Sequence, residues 1–292
     1  MQDVTKEYVA SLLPERPLDA HKGTFGHVFI IAGSRGFTGA PKLACEGALR
    51  SGVGLVTVGF PESLAPCIVP FLLEAMWFPL PATSGDTLSV GALSPALEFA
   101  STKQAVVLGP GLSRTPATTD FVLRFVKECP KPLLIDADGL NCLSENPDVL
   151  RERKGSSCLT PHPGEMARLL RISTSSVQGD RAGTAAHFAQ QFNCVVVLKG
   201  RHTIIATPDG GLFCNPTGNP GMASGGTGDV LSGIIGGLMA QGVSMVDAAV
   251  LGVYVHGLAG DLAAERVTGR AMLARDLLDA MPDAWRCLES KA

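Results

Sequence analysis

Short runs of aliphatic and β-branched residues recur along the chain, at 27–32, 55–58, 105–108, 133–136 and 195–198. They are apolar almost throughout rather than alternating, which predicts strands buried on both faces. Helical periodicity lies between most of them, at about 42–51, 118–127 and 181–192. Alternating strands and helices predict an α/β protein with a mostly parallel sheet and helices on both faces. Two further runs, 202–206 and 212–215, are joined by TPDGG (207–211), which is turn chemistry. They predict a small antiparallel hairpin. Beyond Asn215 the pattern predicts helices over about 226–241, 245–264 and 271–280.

No linker divides the 292 residues and no internal repeat appears, so the chain reads as one domain, 1–292. The most irregular stretch is 61–95, with six prolines and an apolar patch EAMWF (74–78) that suits a flap or an interface. Hydrophobic residues are 46% and charged residues 17%, enough apolar surface for a large core. A formal net charge of −3, no basic run and only 5% aromatics argue against a nucleic-acid surface. The eight cysteines form no close pair, so they read as small buried hydrophobes rather than a zinc site or disulfide framework. The N-terminus carries no signal-peptide pattern, and the longest apolar stretch, 230–240, is too short to span a bilayer. A soluble, cytoplasmic protein is expected.

In an open parallel sheet, ligands bind beyond the carboxyl ends of the strands. The Gly-rich and polar segments of this chain follow its strands: AGSRGFTGA (32–40), GPGLS (109–113), DADGLN (136–141), TPHPGE (160–165) and KGRHT (199–203). The strongest is ASGGTGDVLSG (223–233). Its glycines free successive backbone N–H groups, and the helix that follows adds partial positive charge, a nest for a phosphate. Asp229, at the helix start, reads either as an N-cap or as a base beside that phosphate. There is no P-loop, and the GxG at 109–111 lacks its third glycine. Asp136 and Asp138 read either as Mg²⁺ partners through water or as turn caps. Lys199 reads as a phosphate contact or as the partner of a carboxylate. His162, held between two prolines, reads as ligand-facing. His21, His27, His187, His202 and His256 read as structural or surface residues.

Seven segments in order, KGTFGH (22–27), GS…TGA (33–40), LGPGL (108–112), DADGLN, TPHPGE, KG…T (199–203) and GGTGD (225–229), resemble the ADP/ATP-dependent NAD(P)H-hydrate dehydratases of the ribokinase-like superfamily. The resemblance implies a three-layer ribokinase-like fold and a repair reaction. ADP or ATP would phosphorylate the hydroxyl of the S epimer of hydrated NADH or NADPH, and phosphate would then leave. It implies that Asp229 is the base and contacts the hydrate, and that Gly225, Gly226, Thr227 and Gly228 form an anion hole around the phosphoryl group. It also implies that Lys199, Gly200, Arg201, His202 and Thr203, with Gly228, bind the nucleotide, and that Ala40, Gly111 and His162 line the hydrate site. Mg²⁺ on the nucleotide phosphates, a separate epimerase in the same pathway and a homotetramer are further implications. The epimerase domain fused ahead of the dehydratase in many relatives is not expected, because about twenty residues precede Lys22. Two alternatives are a kinase of a small alcohol, of the hydroxyethylthiazole kinase type, and a non-catalytic adenine-nucleotide sensor.

Overall fold

The computed structural model describes residues 1–290. Ten strands form one sheet: β1 (Gln2–Asp3), β2 (His27–Ile31), β3 (Leu55–Pro61), β4 (Met76–Leu80), β5 (Ala105–Leu108), β6 (Leu133–Ile135), β7 (Ser157–Leu159), β8 (Val195–Leu198), β9 (Ile204–Ala206) and β10 (Leu212–Cys214). Their spatial order is β1-β10-β9-β8-β7-β6-β5-β2-β3-β4. From β4 to β8 all pairs are parallel, and β9 is antiparallel to both β8 and β10, so the expected hairpin closes one side.

The period of two along each buried strand sorts side chains into two cores. Val28, Ile30, Val107 and Val197 face one core, with helices Gly39–Arg50, Thr227–Ala240, Met245–Val267 and Ala274–Glu289 over them. Phe29, Ile31, Val106 and Leu108 face the other, under helices Leu93–Ser101, Pro116–Glu128, Pro163–Leu170 and Arg181–Phe192. This is the three-layer α/β architecture the pattern predicts. Cys45, Cys129, Cys142, Cys158 and Cys194 are buried within it as small apolar residues.

The register fixes where ligands can approach. Ile31 pairs with Leu108, Leu108 with Ile135, and Ile135 with Leu159. The strands therefore end in one row, and the residues that follow, Ala32, Gly109, Asp136 and Thr160, stand side by side. Strand order reverses between β2 and β5, so the loops after these two strands flank a crevice at the switch point.

Several elements depart from the sequence reading, among them short helices such as Leu93–Ser101 and Pro163–Leu170 that it did not give. The irregular segment holds an edge strand, β4, paired in parallel with β3 from Thr57↔Met76 to Pro61↔Leu80. Pro79 obscures it in the sequence, yet an edge strand tolerates proline where no ladder donor is needed. β1, only two residues, pairs with β10. The last helix runs on through Pro282 to Glu289, past the end expected near 280. The helix Met245–Val267 is long and apolar enough to cross a membrane, unlike the 230–240 stretch singled out in the sequence. Of its apolar window, 67% is buried in the fold.

Helices Gly39–Arg50 and Thr227–Ala240 cross at very short range. A Cβ at Gly233 would lie 2.0 Å from Ala44 O, and one at Gly47 would lie 2.4 Å from Val230 O. Glycine at both positions sets the depth at which the second helix sits, and hence where its N-terminus meets the row of strand ends.

Candidate active site

Helix Thr227–Ala240 begins after Gly226, whose φ of 94° needs glycine, and no side chain caps its first turn. Its leading N–H groups are therefore free of side-chain partners and carry the positive end of the helix dipole. Gly225 has open space where a side chain would be. The Thr227 hydroxyl is turned away, donating to Met222 O at 2.9 Å or Ser224 O at 3.0 Å. Thr227 thus closes the loop and offers the nest only its backbone. Behind it, His256 Nε2 is 2.9 Å from Thr227 O, and burial holds that imidazole down at about 4. Upstream, Asp261 accepts from Gly218 N and Asn219 Nδ2, both at 2.9 Å, fixing the loop that leads into the nest.

Asp136 is 1% exposed at the end of β6. Lys199 Nζ donates to its Oδ1 at 2.7 Å, and Ser232 Oγ to its Oδ2 at 2.6 Å. Both carboxylate oxygens accept from side chains of other elements, so Asp136 serves as the partner of Lys199 and Ser232 rather than as a turn cap. Asp138 is committed as well: Ser113 N and Asn141 Nδ2 donate to it at 2.9 and 3.1 Å. Among the described residues no cluster of three or more His, Cys, Asp or Glu could hold a metal ion. That donor set suits a Mg²⁺ that arrives on phosphates and keeps its waters, rather than one in a protein cage.

Lys199 also lies 3.8 Å from Glu165 Oε2. Burial alone would lower its ammonium, but the facing Asp136, Glu165 and Asp229 carboxylates hold it above its ordinary value. The carboxylates respond in the opposite direction. Burial, with the charge of Asp136, raises Asp229 to about 7, although Lys199 opposes the shift. Burial likewise raises Glu165 to about 7 against the pull of Lys199. Asp229 is thus a carboxyl poised near neutrality in the first turn of the nest helix, where a general base operates best.

His162 caps helix Pro163–Leu170. Its Nδ1 accepts from Gly164 N and Glu165 N, and Glu165 Oε2 accepts from His162 N at 2.8 Å. With Nδ1 taken, Nε2 is the nitrogen left for a ligand, 3.5 Å from Glu165 Oε1. Burial, together with the Lys199 and Arg168 cations, lowers the imidazole below its usual value. Gly111 and Ala40 adjoin across the switch point, since a Cβ at Gly111 would be 3.0 Å from Ala40 Cβ. Ser34 Oγ donates to Gly111 O at 2.7 Å and locks that pair of loops.

The segment 199–203 is the tight β8–β9 turn, with φ of 140° at Gly200 and 53° at His202. Arg201 and His202 are exposed, and Thr203 Oγ1 donates to Gly200 O at 3.0 Å. Arg181 clamps this turn from below, donating to Leu198 O at 3.0 Å and to Lys199 O at 3.3 Å. A Cβ at Gly228 would point at Lys199 Nζ, 3.5 Å away, so the nest and the β8–β9 turn share one space.

The structure therefore joins Asp229, Gly228 and Lys199 with Asp136 and Glu165 in one charged cluster, and places Ala40 beside Gly111. Sequence reasoning missed Glu165, Ser232, Arg181 and Asp261 as supports. Of these only Glu165 had a sequence signal, as the third residue after a helix-capping position. A cavity of about 1080 Å³ lies elsewhere, against Arg16, Arg50, Gln241 and Trp285. It sits at the C-terminal ends of the two helices whose N-terminal ends face the site.

The profile of the family described as NAD(P)H-hydrate dehydratase matches residues 28–283. The chain is 46% identical over 288 residues to the bifunctional NAD(P)H-hydrate repair enzyme of Moorella thermoacetica, covering 99% of this chain and 54% of that one. It spans about half the length of the bifunctional relatives it matches. A crystal structure of ADP/ATP-dependent NAD(P)H-hydrate dehydratase from Bacillus subtilis, co-crystallised with ATP and Mg²⁺, superposes with a TM-score of 0.83. Its identity is 35%, with 98% of each chain covered. A ribokinase-like superfamily protein of Enterococcus faecalis has a TM-score of 0.81 at 26% identity, covering 98% of this chain and 96% of that one. The fold is ribokinase-like.

Proposed function

Since the chain belongs to the NAD(P)H-hydrate dehydratase family, we propose that it removes water from the S epimer of hydrated NADH or NADPH, using ADP or ATP. The observation that carries this reading is Asp229: a carboxyl raised to about 7, in the first turn of an uncapped helix behind a glycine nest. A nest alone binds phosphate. A poised carboxyl beside it deprotonates a hydroxyl that attacks phosphorus.

In this reading the hydrated ring lies against Ala40, Gly111 and His162, with its hydroxyl at Asp229. The nucleotide lies along 199–203, and its terminal phosphate meets the backbone N–H groups of Gly225, Gly226, Thr227 and Gly228. Lys199 adds positive charge from the side. Asp229 accepts the hydroxyl proton as the oxygen attacks the phosphorus. AMP leaves if ADP is the donor, and ADP leaves if ATP is. Hydroxide, a poor leaving group, has become phosphate. The ring nitrogen lone pair then expels it, and loss of the neighbouring ring proton restores the dihydropyridine. Mg²⁺ bound to the nucleotide phosphates would neutralise their charge.

We further assign the chain to the cytoplasm, to a homotetramer and to a pathway shared with an NAD(P)H-hydrate epimerase, as the resemblance implies. The test is incubation with Mg²⁺, hydrated NADH and either ADP or ATP. Return of the reduced-nicotinamide absorbance with free phosphate supports the proposal and names the donor. A stable phosphate ester of a small alcohol, with no absorbance return on the hydrate, supports a kinase instead. Saturable ADP binding without turnover supports a sensor.

A further inference from the structure

A second cavity, of about 580 Å³, lies on the flank of the site, between helices Pro116–Glu128, Asp138–Leu143 and Pro163–Leu170. That volume falls within the roughly 300–1,000 Å³ of small-molecule sites. Its walls come from segments that neighbour the hydrate site, and Arg168 is near enough for its charge to act on His162 and Glu165. Arg114 follows Gly111 by three residues, Asn141 ends the DADGLN segment, and Arg168 stands on the helix that His162 caps. Arg168 Nη1 donates to Asn141 Oδ1 at 2.9 Å, which aims the guanidinium along the cavity wall. Among the described residues neither Arg114 nor Arg168 forms an ion pair. Asp120 on the same wall is engaged by Arg124 at 3.8 Å, and Glu145 is the other acid there.

The proposed substrate is larger than its reacting ring. With the ring at Ala40, Gly111 and His162, two phosphates and an adenosine remain to be housed, and the nucleotide co-substrate occupies the 199–203 side. Two exposed guanidiniums with free donor edges suit phosphate oxygens, which they grip in pairs. We propose that this cavity takes the diphosphate and adenosine portion of the hydrated dinucleotide, with Arg114 and Arg168 on its phosphates. The inference rests on the proposed function and deepens it: the two arginines set the preference for a dinucleotide over a bare hydrated ring.

The test compares hydrated NADH with hydrated dihydronicotinamide riboside, which lacks both phosphates and the adenosine. The double variant Arg114→Ala/Arg168→Ala is expected to raise KM for hydrated NADH about tenfold or more. Its kcat stays within about twofold, and kcat/KM for the riboside hydrate does not fall with it. Arg168→Lys, which keeps the charge and loses the fork, is expected to fall between. An unchanged KM for hydrated NADH, or an equal loss on both substrates, overturns the inference while leaving the proposed function in place. A wild-type chain inactive on both hydrates overturns the proposed function itself.

Discussion

Lys199 Nζ lies 2.7 Å from Asp136 Oδ1, tying the end of β8 to the end of β6 across β7. The pair brings residues 63 positions apart to the floor of the site, directly beneath Gly228. A buried carboxylate left without its partner is strongly destabilising, by about 3–5 kcal/mol. Lys199→Met is therefore expected to lower the melting temperature sharply, whereas Asp136→Asn, which keeps the shape and removes the charge, costs less. Thermal melts of the two variants check this, and equal melting temperatures would count against the pair as the anchor of the floor.

The same cluster sets the pH dependence of turnover. Asp229 works as a base only when ionised, so kcat/KM rises with pH through about 7. Glu165 titrates in the same range and Lys199 faces both, so the profile belongs to the coupled site. Asp136→Asn removes a negative neighbour and moves the rise to lower pH. A pH–rate profile that stays in place in Asp136→Asn would break the link between the two carboxylates.

Stability of the ligand-free chain follows the opposite sign. The Asp229 carboxyl is raised in the folded state, so the fold favours its protonated form. Its contribution is full below the ordinary carboxyl range and is lost as pH rises through about 7. Asp229→Asn is expected to melt on the order of 2–4 °C above the wild type at pH 8, and level with it near pH 4. Melting curves at the two pH values decide it. A variant less stable than the wild type at pH 8 contradicts the buried-charge account.

Gly228 has room for a methyl group and little more, since a Cβ would sit 3.5 Å from Lys199 Nζ and 3.9 Å from Asp136 Oδ2. Gly228→Ala should retain nucleotide binding, whereas Gly228→Val fills the phosphate approach and weakens it at least about tenfold. Titration calorimetry with ADP reads both, and an unchanged affinity in Gly228→Val removes Gly228 from the nest.

Gly233 offers a test at a distance from any ligand. Its Cβ would collide with Ala44 O, so Gly233→Ala pushes two helices apart at a cost of about 1–3 kcal/mol or more. The displaced helix carries Asp229, so activity should fall along with denaturant midpoint. Full activity in a destabilised Gly233→Ala protein would show that the nest does not depend on this crossing.

Most of the sheet was legible because strands buried on both faces are apolar without interruption, as in β2, β5 and β8. β4 was hidden by Pro79, and β1 is too short and too polar to stand out. The ligand edge was legible because glycines and polar residues cluster where strands end. What the sequence concealed is partnership. Ser232 and Asp136 are 96 residues apart, and nothing in a helical Ser predicts that it anchors a carboxylate on another element. Arg181, Asp261 and His256 likewise look like ordinary helix residues until the loops they hold are in place. Thr227 sits in the nest sequence, yet its hydroxyl bonds back to the loop, a choice made by backbone geometry.

The central claim is that Asp229 deprotonates the hydrate hydroxyl beside a bound phosphoryl group. The direct measurement pairs two numbers for Asp229→Asn: its affinity for ADP by calorimetry, and its rate of reduced-nicotinamide recovery from hydrated NADH. The account predicts wild-type affinity with turnover reduced on the order of 10²–10⁴-fold. Turnover near that of the wild type would contradict it.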